Sequence, residues 1–158
     1  MGINNKYNNR LYFLITKQEG KRIMELQVFN QDLTVGIEGL DKNHQEFFQK
    51  SSQLLENIEG KSKITVEEIE RMNSFFRNYL EEHFKEEEEL QQELNYPYYE
   101  EHKRTHQILS QRINELMAEL KAEQVKCDKV YKIYNEIISL VKAHIFYIDK
   151  GIKKQIVN

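Results

Sequence analysis

The chain has 158 residues, 39% of them hydrophobic and 31% charged, which suits one domain with a real core and a heavily solvated surface. A net charge of −3 gives no basic footprint for nucleic acid, and a single cysteine excludes an intramolecular disulfide. Six glycines and one proline supply little turn chemistry for a many-stranded sheet, so the composition favours long helices.

In chain order, residues 1–34 read as an irregular N-terminal arm. Leu11, Phe13 and Ile15 alternate with other residues, and a short hairpin around Gln18-Glu19-Gly20 competes with a disordered arm. Met24 is an alternative start that would make the first 23 residues an upstream extension. Leu11 to Ile15 is too short for a signal peptide, and no window reaches membrane-spanning length. The expectation is a cytoplasmic protein without a membrane or nucleic-acid partner.

Residues 35–158 read as four helices. The first spans about Leu40 to Glu59, with Asp41 as N-cap and Gly60 as stop, and its apolar face is His44, Phe47, Phe48, Ser51, Leu54, Leu55 and Ile58. The second opens at Thr65, where Thr65 and Glu68 form a T-x-x-E capping box. Its face is Ile69, Met72, Phe76, Leu80, His83, Glu87 and Leu90, and it should end before Asn95 because Pro97 disfavours helix in the residue ahead of it.

The third helix starts near Pro97 and presents His102, His106, Leu109, Ile113, Leu116 and Leu120, with a loop somewhere in Lys121 to Lys126. The fourth runs from Cys127 or Asp128 to Lys150, presents Val130, Ile133, Ile137, Val141, His144 and Ile148, and should stop at Gly151. Helices of this length joined by short loops pack as antiparallel neighbours. The expected fold is therefore an all-α, up-down-up-down four-helix bundle.

Each apolar stripe carries a histidine, and two carry a carboxylate as well. Buried polar groups are costly unless something satisfies them, and seven aimed at one volume call for a common partner such as a metal. His102 and His106 are four apart, about 40° around a helix, and His83 and Glu87 share that spacing. His144 and Asp149 are five apart, about 140° on an ideal helix, a spacing that suits a histidine on one ion and a carboxylate reaching round to a bridge. Glu87 lies within Glu86-Glu87-Glu88-Glu89, where a solvated acidic face is the competing account. The weight comes from all five histidines of the chain falling on these faces.

The order lone His, H-x-x-x-E, H-x-x-x-H, H-x-x-x-x-D resembles the signature of the hemerythrin family. So do Val35-Gly36-Ile37 and Asp41 before His44, His83-Phe84, Tyr96-Pro97 before His102, His144-Ile145 and Asp149-Lys150. The resemblance covers Val35 to Lys150, roughly three quarters of the chain. It implies two non-haem iron ions. His102, His106 and His144 would bind one, His44 and His83 the other, and Glu87, Asp149 and an oxo or hydroxo group would bridge them. Counting to six ligands per iron leaves one position open on the two-histidine ion, where molecular oxygen would bind.

The implied function is reversible oxygen binding for storage, delivery or sensing rather than catalysis. The alternatives are a di-iron enzyme reducing peroxide or nitric oxide, and an iron-buffering protein. Phe47, Phe48, Phe84, Leu109, Ile113, Ile145 and Ile148 are candidates to keep the pocket dry, and Tyr96, Tyr98 and Tyr99 read as a loop anchor. The family's tryptophan before the first helix is absent; Phe29 is the nearest aromatic.

Overall fold

A computed structural model of the chain describes residues 29–156. The expected hairpin around Gln18 to Gly20 and the start at Met24 lie outside the described residues.

Among the described residues, four long helices form the bundle: α1 (Glu38–Glu56), α2 (Val66–Glu93), α3 (Tyr99–Ala118) and α4 (Cys127–His144). A π turn, Ile145–Asp149, carries α4 directly into the short α5 (Lys150–Ile156). Helix α2 packs on α1 and α3, and α4 packs on α3 and α1, which closes the ring of four. The core they share is aliphatic and aromatic; Phe47, Phe76, Tyr134 and Ile137 are fully buried, and the Phe76 and Tyr134 rings stack at 5.2 Å. The buried Tyr134 hydroxyl donates to Asn73 Oδ1 at 2.8 Å, so this polar pair in the core is satisfied.

Several boundaries differ from the sequence reading. Asp41 does not cap a helix. It sits in the first turn of α1, and its carboxylate accepts from the backbone of Val35 at 2.7 Å and of Gly36 at 2.9 Å, tying the incoming loop down. Gly36 takes φ +86° there, in the left-handed region that glycine enters without a Cβ clash. Helix α1 stops at Glu56, and Gly60 serves the turn beyond it at φ +76°.

Helix α2 opens as expected: Thr65 accepts from the Glu68 backbone and Glu68 reaches back to the Thr65 backbone. Thr65→Ala should therefore cost about 1 kcal/mol, a drop in melting temperature of about 2–4 °C that thermal denaturation would register. The helix closes in a Schellman arrangement. Asn95 adopts φ 51°, Tyr96 N–H bonds to Gln91 C=O at 2.8 Å, and Asn95 N–H bonds to Gln92 C=O at 3.1 Å. Pro97 then precedes α3 instead of entering its first turn.

The loops at the far end add an element that the sequence reading lacks. Lys63–Thr65 (β1) and Gln124–Lys126 (β2) pair antiparallel, with Ile64 opposite Val125 and both buried. The arm is also partly packed: Leu33, in a 3-10 turn over Gln31–Leu33, is buried, and Phe29, the aromatic nearest the first helix, rests its ring 6.3 Å from Phe48.

Candidate metal centre

Antiparallel packing decides where the polar residues go. His44 lies near the start of α1 and His102 and His106 near the start of α3, while His83 and Glu87 lie in the second half of α2 and His144 at the end of α4. All of these positions fall at one end of the bundle, opposite the small sheet. Asp149 joins them through the π turn. With hydrogen bonds running from i to i+5, residues five apart share a face, and His144 Nε2 stands 2.9 Å from Asp149 Oδ1. The 140° separation expected of an ideal helix is thereby removed. Gly151 does not terminate the helix, which continues to Ile156 and buries Ile152.

All seven side chains singled out by sequence meet in one buried volume, none more than 3% exposed. Their atoms form two groups. Glu87, His102, His106, His144 and Asp149 converge in the first; His44, His83 and Asp149 converge in the second. Within the first, His102 Nε2 is 3.3 Å from Glu87 Oε1 and 3.2 Å from Asp149 Oδ1, and His106 Nε2 is 3.4 Å from Glu87 Oε2. Within the second, His44 Nε2 is 3.1 Å from His83 Nε2 and 3.6 Å from Asp149 Oδ2. Glu87 Oε2 also comes within 3.7 Å of His83 Nε2, so each carboxylate reaches towards both groups.

These separations suit a cation. Ligands about 2.1 Å from an ion and at right angles to one another lie about 3 Å apart. The close contacts are poor hydrogen bonds: His102 Nε2, His106 Nε2, His144 Nε2, Glu87 Oε2 and both Asp149 oxygens have no hydrogen-bond partner despite full burial. Each orphaned polar atom costs about 1–3 kcal/mol, and a shared positive ion satisfies all of the acceptors at once. The residues fit a metal pair.

The electrostatics of the metal-free site follow from burial. Burial pushes His83 down to about 3, with His44 beside it adding to the effect, and burial lowers His44 and His106 as well. These imidazoles are held neutral, the form that binds metal. Burial, followed by the neighbouring Asp149 charge, pushes Glu87 up to about 8. Burial works against charge on Asp149 too, but His144 and His102 outweigh it and hold that carboxyl well below the usual range. At neutral pH the empty site therefore keeps Asp149 ionised and a proton on Glu87.

Of the residues expected to keep the site dry, Phe84 does so most directly, stacking on the His106 ring at 3.9 Å and 7°. Ile145 is fully buried, Ile148 partly so. Of the expected loop anchors, Tyr96 is buried with its ring 6.2 Å from that of His102, and Tyr99 accepts from Gln92; Tyr98 is exposed.

Three contributors were missed. Gln91, one turn beyond Glu87 on the same buried stripe, donates to Glu87 Oε1 at 3.4 Å; a polar residue continuing the i, i+4 series was the available signal. Tyr79, one turn before His83, stacks on that ring at 5.3 Å and donates its hydroxyl to the Asn43 carbonyl. Glu88 hydrogen-bonds His106 across two helices, and no periodicity marks it.

A four-helix bundle with a buried cluster of histidines and carboxylates at one end is a metal-binding helical domain. The family model for the hemerythrin HHE cation-binding domain matches residues 35–156, and the chain belongs to that family. It is also 28% identical over 107 residues to a bacteriohemerythrin of Stenotrophomonas maltophilia (strain R551-3), a match covering 68% of each chain. No solved structure gives a significant match. No helix among the described residues is long and apolar enough to cross a membrane.

Proposed function

We propose that this chain is a non-haem di-iron protein that binds molecular oxygen reversibly, and that its role is binding for storage, delivery or sensing rather than turnover. His102, His106 and His144 would hold one iron and His44 and His83 the other, with Glu87 and Asp149 shared between them alongside a solvent-derived oxo or hydroxo group. The observation that carries this reading is the inequality of the two donor groups around a shared Asp149. Three histidines on one side and two on the other leave the second ion short of a ligand. When bound, the iron pair supplies the electrons and the vacant position that oxygen binding requires.

The chain's own contribution is preparation. Burial keeps His44, His83 and His106 unprotonated, so their lone pairs are free. Phe84 covers the face of the His106 ring, and the fully buried Ile145 beside His144 adds to the apolar surroundings that exclude water. A donor set richer in histidine than in carboxylate also holds ferrous iron better than the glutamate-rich sets of other di-iron bundles. Residues 35–158 would form the functional domain, with the preceding residues as an arm.

The test is anaerobic loading with ferrous iron, followed by metal counting and a visible spectrum as oxygen is admitted and withdrawn. The expected result is a pair of irons per chain and a charge-transfer band that appears with oxygen and vanishes on degassing. Immediate irreversible oxidation, or turnover of peroxide or nitric oxide, would shift the assignment to a di-iron enzyme. Ready loss of iron to a chelator without any such band would point to iron buffering.

A further inference from the structure

We infer that Glu88 is a positioning residue for the metal centre, fixing which nitrogen of His106 faces the ions and strengthening that histidine as a donor. The inference rests on the di-metal reading above. His106 Nδ1 donates to Glu88 Oε1 at 2.9 Å, whereas the Nδ1 atoms of His44, His83 and His102 have no hydrogen-bond partner. A carboxylate on Nδ1 leaves the Nε2 lone pair as the only one available to metal and raises its basicity.

Glu88 is itself held. Lys103 Nζ stands 3.8 Å from Glu88 Oε2 and donates to the Tyr99 hydroxyl at 3.3 Å, and Gln92 Nε2 donates to the same hydroxyl at 2.6 Å. The contacts thus tie α2 to α3, the helices that carry Glu87, His102 and His106. Phe84 lies flat on the ring face while Glu88 grips the ring edge, so His106 is constrained in two directions.

The rest of the acidic run is spent elsewhere. Glu86 accepts from Asn43 at 2.7 Å, and Glu89 pairs with Lys85 on the exposed surface. Glu86→Gln is therefore a matched control from the same turn.

The experiment is an anaerobic titration of the metal-free full chain with Co2+, following its d–d absorption bands, in wild type, Glu88→Ala, Glu88→Gln and Glu86→Gln. The tighter binding step should weaken about 10–100-fold in Glu88→Ala. Glu88→Gln should recover part of that loss, because an amide oxygen still accepts from Nδ1–H, while its bands shift with the lost charge. Glu86→Gln should match wild type. Binding by Glu88→Ala within about twofold of wild type, with unchanged bands, overturns the inference. Should the alanine variant fail to fold, the isosteric Glu88→Gln decides the matter: affinity and bands identical to those of Glu86→Gln overturn it. A wild-type chain that takes up no Co2+ overturns the di-metal reading and this inference with it, whereas an effect missing only in the variants overturns this inference alone.

Discussion

Replacing Asp149 with alanine should reduce the metal content of the anaerobically loaded chain from a pair of ions to at most one. Asp149 is the residue common to both donor groups. Its Oδ1 faces His102 and His144, and its Oδ2 faces His44. Without it the second group keeps His44, His83 and the more distant Glu87, whose Oε2 lies 3.7 Å from His83 Nε2, too few donors to retain an ion against water.

His44→Ala makes the complementary prediction. It removes a donor from the second group alone and should spare the ion held by Glu87, His102, His106, His144 and Asp149. Both effects have a thermal counterpart, since an ion that binds only the folded chain stabilises it. At a thousandfold excess over Kd the gain is about 4 kcal/mol, or roughly 8–16 °C for a domain of this size. The quantity to compare is the melting temperature with metal minus that without, so that any effect of the substitution on the empty fold cancels. If Asp149→Ala retains both ions and the full metal-dependent gain, Asp149 is not a shared ligand and the pairing of the two groups is wrong. Lys121→Ala, in the loop after α3, should leave every one of these quantities unchanged.

The residues that this experiment addresses were largely legible in the sequence, for a definite reason. His83 and Glu87, like His102 and His106, repeat at four-residue spacing on stripes that are otherwise apolar, and polar groups cannot be placed there without a shared purpose. The four helices followed from the same stripes. Asp149 was harder, because a five-residue spacing points away from His144 on an α-helix. The π turn over Ile145–Asp149 absorbs the extra residue, and no proline or glycine in Ile145-Phe146-Tyr147-Ile148 announces it. Gly151 misled in the opposite sense, since the buried Ile152 beyond it holds the chain helical.

What lay out of reach depends on contacts between elements. Glu88 differs from Glu86 and Glu89 only in facing a histidine 18 residues away on α3, and Asp41 in facing the backbone of the loop before α1 instead of its own helix. Strands β1 and β2 are three residues each, too short for an alternating pattern to stand out, and they exist because Ile64 and Val125 find each other across two loops.

The metal-free chain should be most stable near pH 6.5 and lose stability on both sides. On the acid side the cause is histidine. In the unfolded chain His83 takes a proton below its ordinary 6.5, but in the fold burial delays this to about 3. The unfolded state therefore binds more protons between those values, and the stability present above pH 6.5 drains away as pH falls. One unit below 6.5, His83 alone costs about 1 kcal/mol, and His44 and His106 act in the same direction.

On the alkaline side the sign reverses, because Glu87 is raised. Its contribution is complete below its ordinary 4.5 and is lost as pH rises towards about 8, where the buried carboxyl must ionise beside Asp149. Between 4.5 and 6.5 several histidines oppose this single carboxyl and prevail; above 6.5 Glu87 acts alone, which places the maximum near 6.5. Metal changes the balance, since it stands in for the proton on Glu87 and needs the histidines neutral. Affinity should rise up to about pH 8, and the optimum of the loaded chain should lie above that of the empty one. Melting curves across this range, with and without metal, would show both shifts. A metal-free profile that stays flat from pH 5 to 8 would mean that these histidines titrate as they do in water and that the site is not buried as described.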